Sequence, residues 1–227
     1  MGRNNEYETK RLNGIYNRFF KRVLDIVCSF LAITVFSVIY IPICIIIKCT
    51  SEGPIFFKQK RVGKDKSYFN ILKFRTMRID TPKDCPTHLL ENPDRYITKV
   101  GRFLRKTSLD ELPQIFNILK GDMSIIGPRP ALWNQDDLVA ERDKYNINSL
   151  KPGLTGWAQI NGRDELPIPV KVEMDKIYYD NLCFRFDAKC LFLTVKSVIK
   201  SDGVVEGGTG QMSDSEISEK LEEIEKI

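Results

Sequence analysis

Two adjacent carboxylates, Asp110 and Glu111, are the side chains in this sequence whose position most clearly suggests chemistry. They lie in the first turn of a predicted amphipathic helix, where backbone amides and the helix dipole favour the ionised form of an acid. An ionised carboxylate can act as a nucleophile, and two neighbouring carboxylates can hold a divalent cation. Acids in a first turn also simply complement the dipole, so the pair alone does not establish a site.

The predicted helix places one stripe of apolar residues at helical spacing, namely Leu112, Ile115, Phe116 and Leu119. Gly121 suits a left-handed cap at the end of this helix. The start has two interpretations. Ser108 and Glu111 have the spacing of a capping box, or Asp110 is itself the N-cap and Pro113 occupies the third helical position.

A β-hairpin is predicted before this helix, from aromatic-rich runs at 54–61 and 67–75 that are joined by a Gly-Lys-Asp-Lys turn. Lys73 and Arg75 stand two residues apart in the second strand and therefore share a face. They point either into a site or into solvent.

Three further arginines lie where they could bind an anion. Arg105 precedes Asp110 by five residues, close enough to meet its carboxylate or a shared ligand. Arg129 stands between two prolines, whose rings stiffen the backbone around it, and a fixed guanidinium suits bidentate phosphate binding. Arg163 closes a glycine-punctuated loop that suits the close approach of a nucleotide or sugar.

Two helices are predicted towards the C-terminus. The first, 171–182, carries Asp175 among apolar residues, and the second, 186–199, either packs in the core or lies in a membrane interface.

The net charge of the 227-residue chain is +5, although its last 17 residues hold six acidic and two basic residues. The remainder is therefore more basic than the total indicates, which favours an anionic partner such as nucleic acid, a phosphorylated small molecule or a lipid surface. Six cysteines without a CxxC pair suggest reduced thiols on a cytosolic face. The single histidine, His88, argues against a histidine-based nucleophilic triad.

Residues 26–47 contain no charge and are long enough to span a bilayer as a helix. Pro42 should break or kink that helix, and Ser37 can bond to freed backbone groups. Basic residues flank both ends, so a re-entrant hairpin satisfies the positive-inside rule better than a kinked single-pass anchor, the alternative interpretation. Asp25 is expected at the headgroup level, paired with a base such as Arg22.

From residue 20 to about residue 203, the chain resembles the bacterial sugar transferases, the monotopic phosphoglycosyl transferases that act on polyprenyl phosphate. The motifs that carry the resemblance are Lys21-Arg22-Val23-Leu24-Asp25, Gly53-Pro54-Ile55-Phe56-Phe57, Lys73-Phe74-Arg75-Thr76-Met77, Ser108-Leu109-Asp110-Glu111-Leu112, Gly121-Asp122-Met123-Ser124, Gly127-Pro128-Arg129-Pro130 and Pro152-Gly153-Leu154-Thr155-Gly156-Trp157-Ala158-Gln159-Ile160-Asn161-Gly162-Arg163.

The resemblance implies transfer of a sugar-1-phosphate from a UDP-sugar to undecaprenyl phosphate with release of UMP, the first step in assembly of a lipid-linked surface glycan such as an exopolysaccharide, capsule or O-antigen. It implies that Asp110 forms a covalent phosphosugar-aspartyl intermediate and that Asp110 and Glu111 hold Mg²⁺. Four further positions match functional residues of the family: Arg105, Arg129, Arg163 and Asp175. One departure concerns the membrane helix, because the family often carries Ser-Pro at its break whereas this chain has Ser37-Val38 and a later Pro42.

We therefore expect an α+β fold, with a mostly helical cytosolic domain and a small β-hairpin, anchored in the bacterial inner membrane by a broken, re-entrant N-terminal helix. The expected organisation is a polar segment at 1–19, the membrane helix-break-helix at 20–50, the catalytic domain on the cytoplasmic face at 51–203 and a Gly-rich, acidic tail at 204–227.

The expected partners are a UDP-sugar, polyprenyl phosphate and membrane lipid, and nucleic acid is not expected. A homodimer and contacts with downstream glycosyltransferases stay open. Two other functions also stay open. In one, polyprenyl phosphate attacks the donor directly and the acidic pair only binds metal. In the other, the chain is a membrane-tethered basic scaffold for anionic lipid or nucleic acid.

Overall fold

The computed structural model describes residues 14–81, 95–162 and 166–200, with side chains up to residue 197. Its first long element is helix α1, Lys21–Thr50, which a short π-helical turn, Tyr16–Phe20, precedes. Together they form a 35-residue helix that is long and apolar enough to cross a membrane by length and composition.

Every residue from Lys21 to Thr50 is α-helical, so the predicted break does not interrupt the helical structure of α1, and a bend of the helix near Pro42 stays a prediction. Pro42 lies inside the helix, and Ser37 donates to the carbonyl oxygen of Thr34 at 2.8 Å rather than bridging a gap. A proline has a helical φ and removes only one backbone donor, so a long apolar helix can absorb it.

Burial along α1 is confined to its two ends. Near the start, the buried residues are Lys21, Asp25 and Ser29; near the end, they are Ile43 and Ile47. Between residues 30 and 42 no side chain is buried, and Val38 is 77% exposed. Tyr40 still packs against Phe56, Phe74 and Phe116, so the two ends of α1 contact the folded domain and the largely exposed middle is residues 30–39.

The start of α1 is joined to the domain by polar contacts that differ from the prediction. Asp25 is buried and accepts hydrogen bonds from Ser124 Oγ (3.0 Å) and Ile125 N (2.9 Å). Arg22 does not pair with it but donates to the carbonyl oxygens of Ile118 (2.5 Å) and Leu119 (2.6 Å). Asp25 therefore does not pair with Arg22, the base named in the prediction, because both groups bond to the domain, and its place at the headgroup level stays a prediction.

The predicted β-hairpin is confirmed. Strands β1, Phe56–Val62, and β2, Tyr68–Phe74, pair antiparallel with Phe56 opposite Phe74 and Val62 opposite Tyr68. Asn117 closes the open edge of β2, since its amide accepts from Leu72 N at 2.9 Å and donates to Asn70 O at 2.8 Å.

The hairpin is followed by short elements that carry the site. In chain order these are α2 (Lys99–Lys106), a 3₁₀ turn (Leu109–Glu111), α3 (Gln114–Lys120), β3 (Ser124–Ile126), α4 (Asp136–Asp143), β4 (Gly153–Thr155), α5 (Trp157–Ile160), α6 (Ile168–Asp180) and α7 (Phe184–Lys200). Strands β3 and β4 pair in parallel. The described residues thus form an α+β fold that is mostly helical, as expected.

Helix α3 ends where predicted, at Gly121 with φ +99°, and the Schellman bonds Gly121 N to Ile118 O and Asp122 N to Asn117 O are both 3.0 Å long. Its buried face differs from the predicted stripe. The buried residues are Gln114, Ile115, Asn117 and Ile118, whereas Phe116 is 44% exposed.

Three glycines bring β3 and β4 into close contact. A Cβ atom on Gly127 would lie 2.5 Å from Lys151 O, and one on Gly156 would overlap the carbonyl oxygen of Gly127. Gly153 is equally crowded by Gly127. Only residues without a side chain allow this approach, which places the Pro-Arg-Pro segment that follows β3 against β4.

Candidate functional site

Asp110 lies in the 3₁₀ turn that precedes α3, and the residue is 8% exposed. The bonds Glu111 N to Ser108 O and Leu112 N to Leu109 O, both 3.3 Å, define this turn. Ser108 takes a left-handed backbone, φ +56°, and its side chain makes no capping bond, so the capping-box interpretation was wrong. The alternative start at Asp110 was also wrong, because α3 begins only after Pro113.

Lys73 on strand β2 reaches the acidic pair. Its Nζ lies 2.7 Å from Glu111 Oε1 and 4.0 Å from Asp110 Oδ2. The side chain is therefore held in the site rather than free in solvent, as one of the two interpretations of the hairpin predicted.

Two of the predicted arginines complete this cluster. Arg129 Nη1 lies 3.6 Å from Glu111 Oε1. Arg105 on α2 donates from Nε to Thr76 Oγ1 at 2.9 Å, and its charge acts on Asp110. Two acids and three bases, drawn from the hairpin, α2, the 3₁₀ turn and the Pro-Arg-Pro segment, thus converge at one place.

The environment of Asp110 sets its protonation. Burial raises the pKa of this carboxyl to about 6, Lys73 opposes that rise, Glu111 adds to it, and Arg105 and Arg129 lower it again. The group is therefore mostly ionised at neutral pH yet poorly solvated. A desolvated carboxylate facing cations is suited to attack an electrophilic phosphorus.

The structure corrects the assignment of Arg75. It follows the last residue of β2, and its guanidinium donates to Glu52 O at 2.5 Å and to Ser51 O at 2.6 Å. The arginine therefore holds the chain just after α1 and does not accompany Lys73 into the site.

The assignment of Asp175 as a substrate ligand is also corrected. This residue of α6 is 1% exposed and accepts from Arg142 Nε at 3.0 Å and Nη2 at 2.6 Å. Arg142, which the sequence analysis missed, donates from Nη1 to the carbonyl oxygen of Arg129 at 3.0 Å. The one hint in the sequence was a charge on the apolar side of a helix, since nothing in the polar segment around Arg142 marks it.

Arg163 lies outside the described residues, so its predicted role stays a prediction.

Mg²⁺ has suitable donors in Asp110 and Glu111. Within the described parts of the chain, no group of three or more His, Cys, Asp or Glu side chains could hold a metal. Magnesium commonly binds one or two carboxylates and completes its octahedron with water and substrate phosphates. The acidic pair fits that kind of site, in which a diphosphate supplies the missing oxygens.

Comparison with known proteins bears on this cluster. The family model described as bacterial sugar transferase matches residues 16–201. The chain is 41% identical over 184 residues to the uncharacterised sugar transferase EpsL of Bacillus subtilis, covering 81% of this chain and 89% of that one. It is 41% identical over 196 residues to UDP-glucose:undecaprenyl-phosphate glucose-1-phosphate transferase of Escherichia coli, covering 83% of this chain and 42% of that one.

A third relative, undecaprenyl-phosphate galactose phosphotransferase of Salmonella typhimurium, is 37% identical over 202 residues, which cover 82% of this chain and 42% of the relative. The chain thus spans less than half the length of the two relatives whose activity is named. The family match nevertheless extends over most of this chain and includes every residue of the acidic and basic cluster. This protein therefore belongs to the bacterial sugar transferase family.

Proposed function

We propose that this protein transfers a sugar-1-phosphate from a UDP-sugar to undecaprenyl phosphate and releases UMP. The observation that carries the proposal is the buried Asp110 carboxylate, set beside Glu111 and facing Lys73, Arg105 and Arg129. Relatives named for this class of reaction support it, since those of E. coli and S. typhimurium act on undecaprenyl phosphate by name.

The proposed chemistry has two half-reactions. An oxygen of Asp110 attacks the phosphorus that carries the sugar, and the bond from that phosphorus to the bridging oxygen breaks, so UMP leaves with the electron pair. A phosphate oxygen of undecaprenyl phosphate then attacks the same phosphorus of the phosphosugar-aspartyl intermediate. The acyl-phosphate bond breaks, and the Asp110 carboxylate is regenerated.

The basic residues have defined tasks in this scheme. Lys73 holds Glu111 and lowers the pKa of Asp110, which keeps the nucleophile ionised. Arg129 and Arg105 neutralise the charge that develops on the departing phosphate. Asp110 and Glu111 would hold Mg²⁺, which when bound supplies further charge neutralisation to the diphosphate.

We expect purified protein to release UMP over many turnovers only when a UDP-sugar, undecaprenyl phosphate and Mg²⁺ are all present. Chelation of Mg²⁺ should stop this release. A panel of UDP-sugars identifies the donor. With donor and Mg²⁺ but no acceptor, a covalent route predicts a burst of at most one UMP per chain and a phosphosugar adduct on Asp110, detectable by intact-protein mass spectrometry.

The outcomes separate the alternatives. UMP release that appears only with the acceptor, without an adduct, would favour direct attack by the lipid phosphate. A protein that ignores Mg²⁺ and every UDP-sugar, yet binds anionic vesicles in a salt-sensitive way, would be a membrane scaffold instead.

The proposal includes a place in the membrane: the bacterial inner membrane, with the catalytic domain on the cytoplasmic face and α1 dipping into the bilayer and returning. Three features support the re-entrant form. Both ends of α1 pack on one domain, the apolar middle at residues 30–39 is not buried by it, and basic residues, Arg18 and Lys48, stand at both ends. Helix α7 adds an exposed apolar face beside the start of α1: Phe184, Leu191, Phe192 and Val195.

Topology can be tested by cysteine labelling of spheroplasts. In a background without other cysteines, native Cys49, which is exposed, reports one end of α1, and Arg18→Cys reports the other. We expect a membrane-impermeant maleimide to label neither cysteine in intact spheroplasts and both after lysis. Labelling of one of them in intact spheroplasts would show a spanning helix.

A further inference from the structure

The backbone of the Pro128–Pro130 segment is fixed from three directions. Its three consecutive carbonyl oxygens accept, in chain order, from Gly153 N at 2.8 Å, Arg142 Nη1 at 3.0 Å and Arg61 Nη1 at 3.0 Å. These donors belong to β4, α4 and β1. The two prolines offer no N–H of their own, so these bonds to the carbonyl groups are what orients the segment and the guanidinium of Arg129 on it.

Arg142 is in turn fixed by Asp175. Two of its nitrogens are bonded to Asp175 Oδ2 and a third to the carbonyl oxygen of Arg129. Both side chains are almost completely buried, 5% exposed for Arg142 and 2% for Asp175. The planar guanidinium spreads these bonds over three nitrogens in a fixed geometry, which the single ammonium nitrogen of a lysine does not reproduce.

Stability alone is a weak reason for such a pair. Burying two charges costs desolvation that their attraction often fails to repay, and apolar replacements of buried pairs are commonly neutral or stabilising. The remaining bond of Arg142, to the backbone carbonyl oxygen of Arg129, indicates a function for the Asp175–Arg142 pair.

We propose that Asp175 and Arg142 are positioning residues for Arg129. They hold the carbonyl group of Arg129 so that the Arg129 guanidinium faces Glu111, 3.6 Å away. In the proposed function, the donor diphosphate binds beside this pair. The inference rests on the proposed function, in that Arg129 is taken to act on the diphosphate. Asp175 thus serves the site without touching the substrate.

A double-mutant cycle tests this proposal through kcat/KM for the UDP-sugar, measured by UMP release. We expect Asp175→Asn and Arg129→Ala each to lower it by about 10- to 100-fold, because a small misplacement of a charge-neutralising group has effects of that size. In the Arg129→Ala background, Asp175→Asn should not lower kcat/KM further, because no guanidinium is left to misplace. If the double variant instead loses the product of the two separate factors in kcat/KM, Asp175 supports the fold generally and the proposal is overturned.

Two further variants keep the test valid if Asp175→Asn fails to fold. Arg142→Lys retains a positive charge against Asp175 but loses the fixed guanidinium geometry that holds the carbonyl oxygen of Arg129. Arg61→Met removes the bond to Pro130 from a partly exposed strand position. Both should lose activity in the wild-type background and not in the Arg129→Ala background.

Asp143→Asn is the matched control. Asp143 follows Arg142 on α4, but its ion pair with Lys66 is exposed and leads away from Arg129. Activity of this variant should stay unchanged. If Arg129→Ala itself does not change kcat/KM, the role of Arg129 in the proposed function fails. If Arg129→Ala lowers kcat/KM and the other substitutions lower it further by their full separate factors, only the positioning role fails.

Discussion

Asp110→Asn should abolish UMP release and at the same time raise the melting temperature at neutral pH. The loss of activity, at least about 10³-fold, follows because an amide cannot form the phosphosugar-aspartyl intermediate. Burial raises the pKa of Asp110 to about 6, above the value of a solvated aspartate, so the folded state is penalised when this group ionises. That penalty is fully present above pH 6 and fades as the pH falls towards 4, where the group is protonated in both states.

We therefore expect Asp110→Asn to melt about 3–6 °C higher than the wild type at pH 7.5, and the difference to disappear near pH 4. Differential scanning fluorimetry in detergent at both pH values measures it. If Asp110 only complemented a helix dipole, the variant would keep its activity and melt lower. Asp136→Asn, in the first turn of α4, is the control for that behaviour and should leave UMP release unchanged.

Lys73→Met should lower kcat/KM by about 100-fold at pH 7 and move its acid limb to higher pH. In the wild type, activity should fall about tenfold per pH unit below about 6, as the nucleophile is protonated. Lys73 is the largest influence that lowers the pKa of Asp110, so its removal raises that pKa and demands a higher pH for the same ionised fraction. Part of the lost activity should therefore return at pH 9.

The measurement is the pH profile of UMP release from pH 5 to 9. Lys60→Met is the matched control. Lys60 lies on β1 of the same hairpin, but its ammonium group sits over the ring of Tyr68, 4.1 Å from the centroid, away from the acidic pair. An acid limb that stays in place in Lys73→Met would contradict the assigned electrostatic role of Lys73.

Features that depend on local chemistry could be predicted from the sequence. The hairpin follows from two β-prone runs and a turn, and the end of α3 follows from Gly121. Lys73 reaches Glu111 because it lies within a regular strand, where alternation fixes the face. Arg75 does not follow the same rule, because it lies just past the end of β2 and its guanidinium bonds to the carbonyl oxygens of Ser51 and Glu52.

The buried face of α3 shows why other features of the fold could not be predicted from the sequence. Residues 109–116 are joined by bonds between residues three apart, such as Ile115 N to Leu112 O and Phe116 N to Pro113 O, both 3.1 Å. Each residue of such a turn rotates by more than in an α-helix, so a stripe counted with the α-helical period drifts. The α-helical count placed Phe116 on the buried face, but in the structure Phe116 is exposed. The partnership of Asp175 with Arg142, 33 residues apart, has no local signature at all.

The bonds from Arg22 to the last carbonyl groups of α3 have a practical consequence. Helix α3, which begins beside Asp110, is held at its far end by Arg22 of α1, and Asp25 of α1 accepts hydrogen bonds from the next strand, β3. The long apolar helix α1 is thus a structural part of the site around Asp110. A shortened protein that starts after residue 50 would lose these fastenings, so solubilising the enzyme calls for redesign of the exposed middle of α1 instead of its removal.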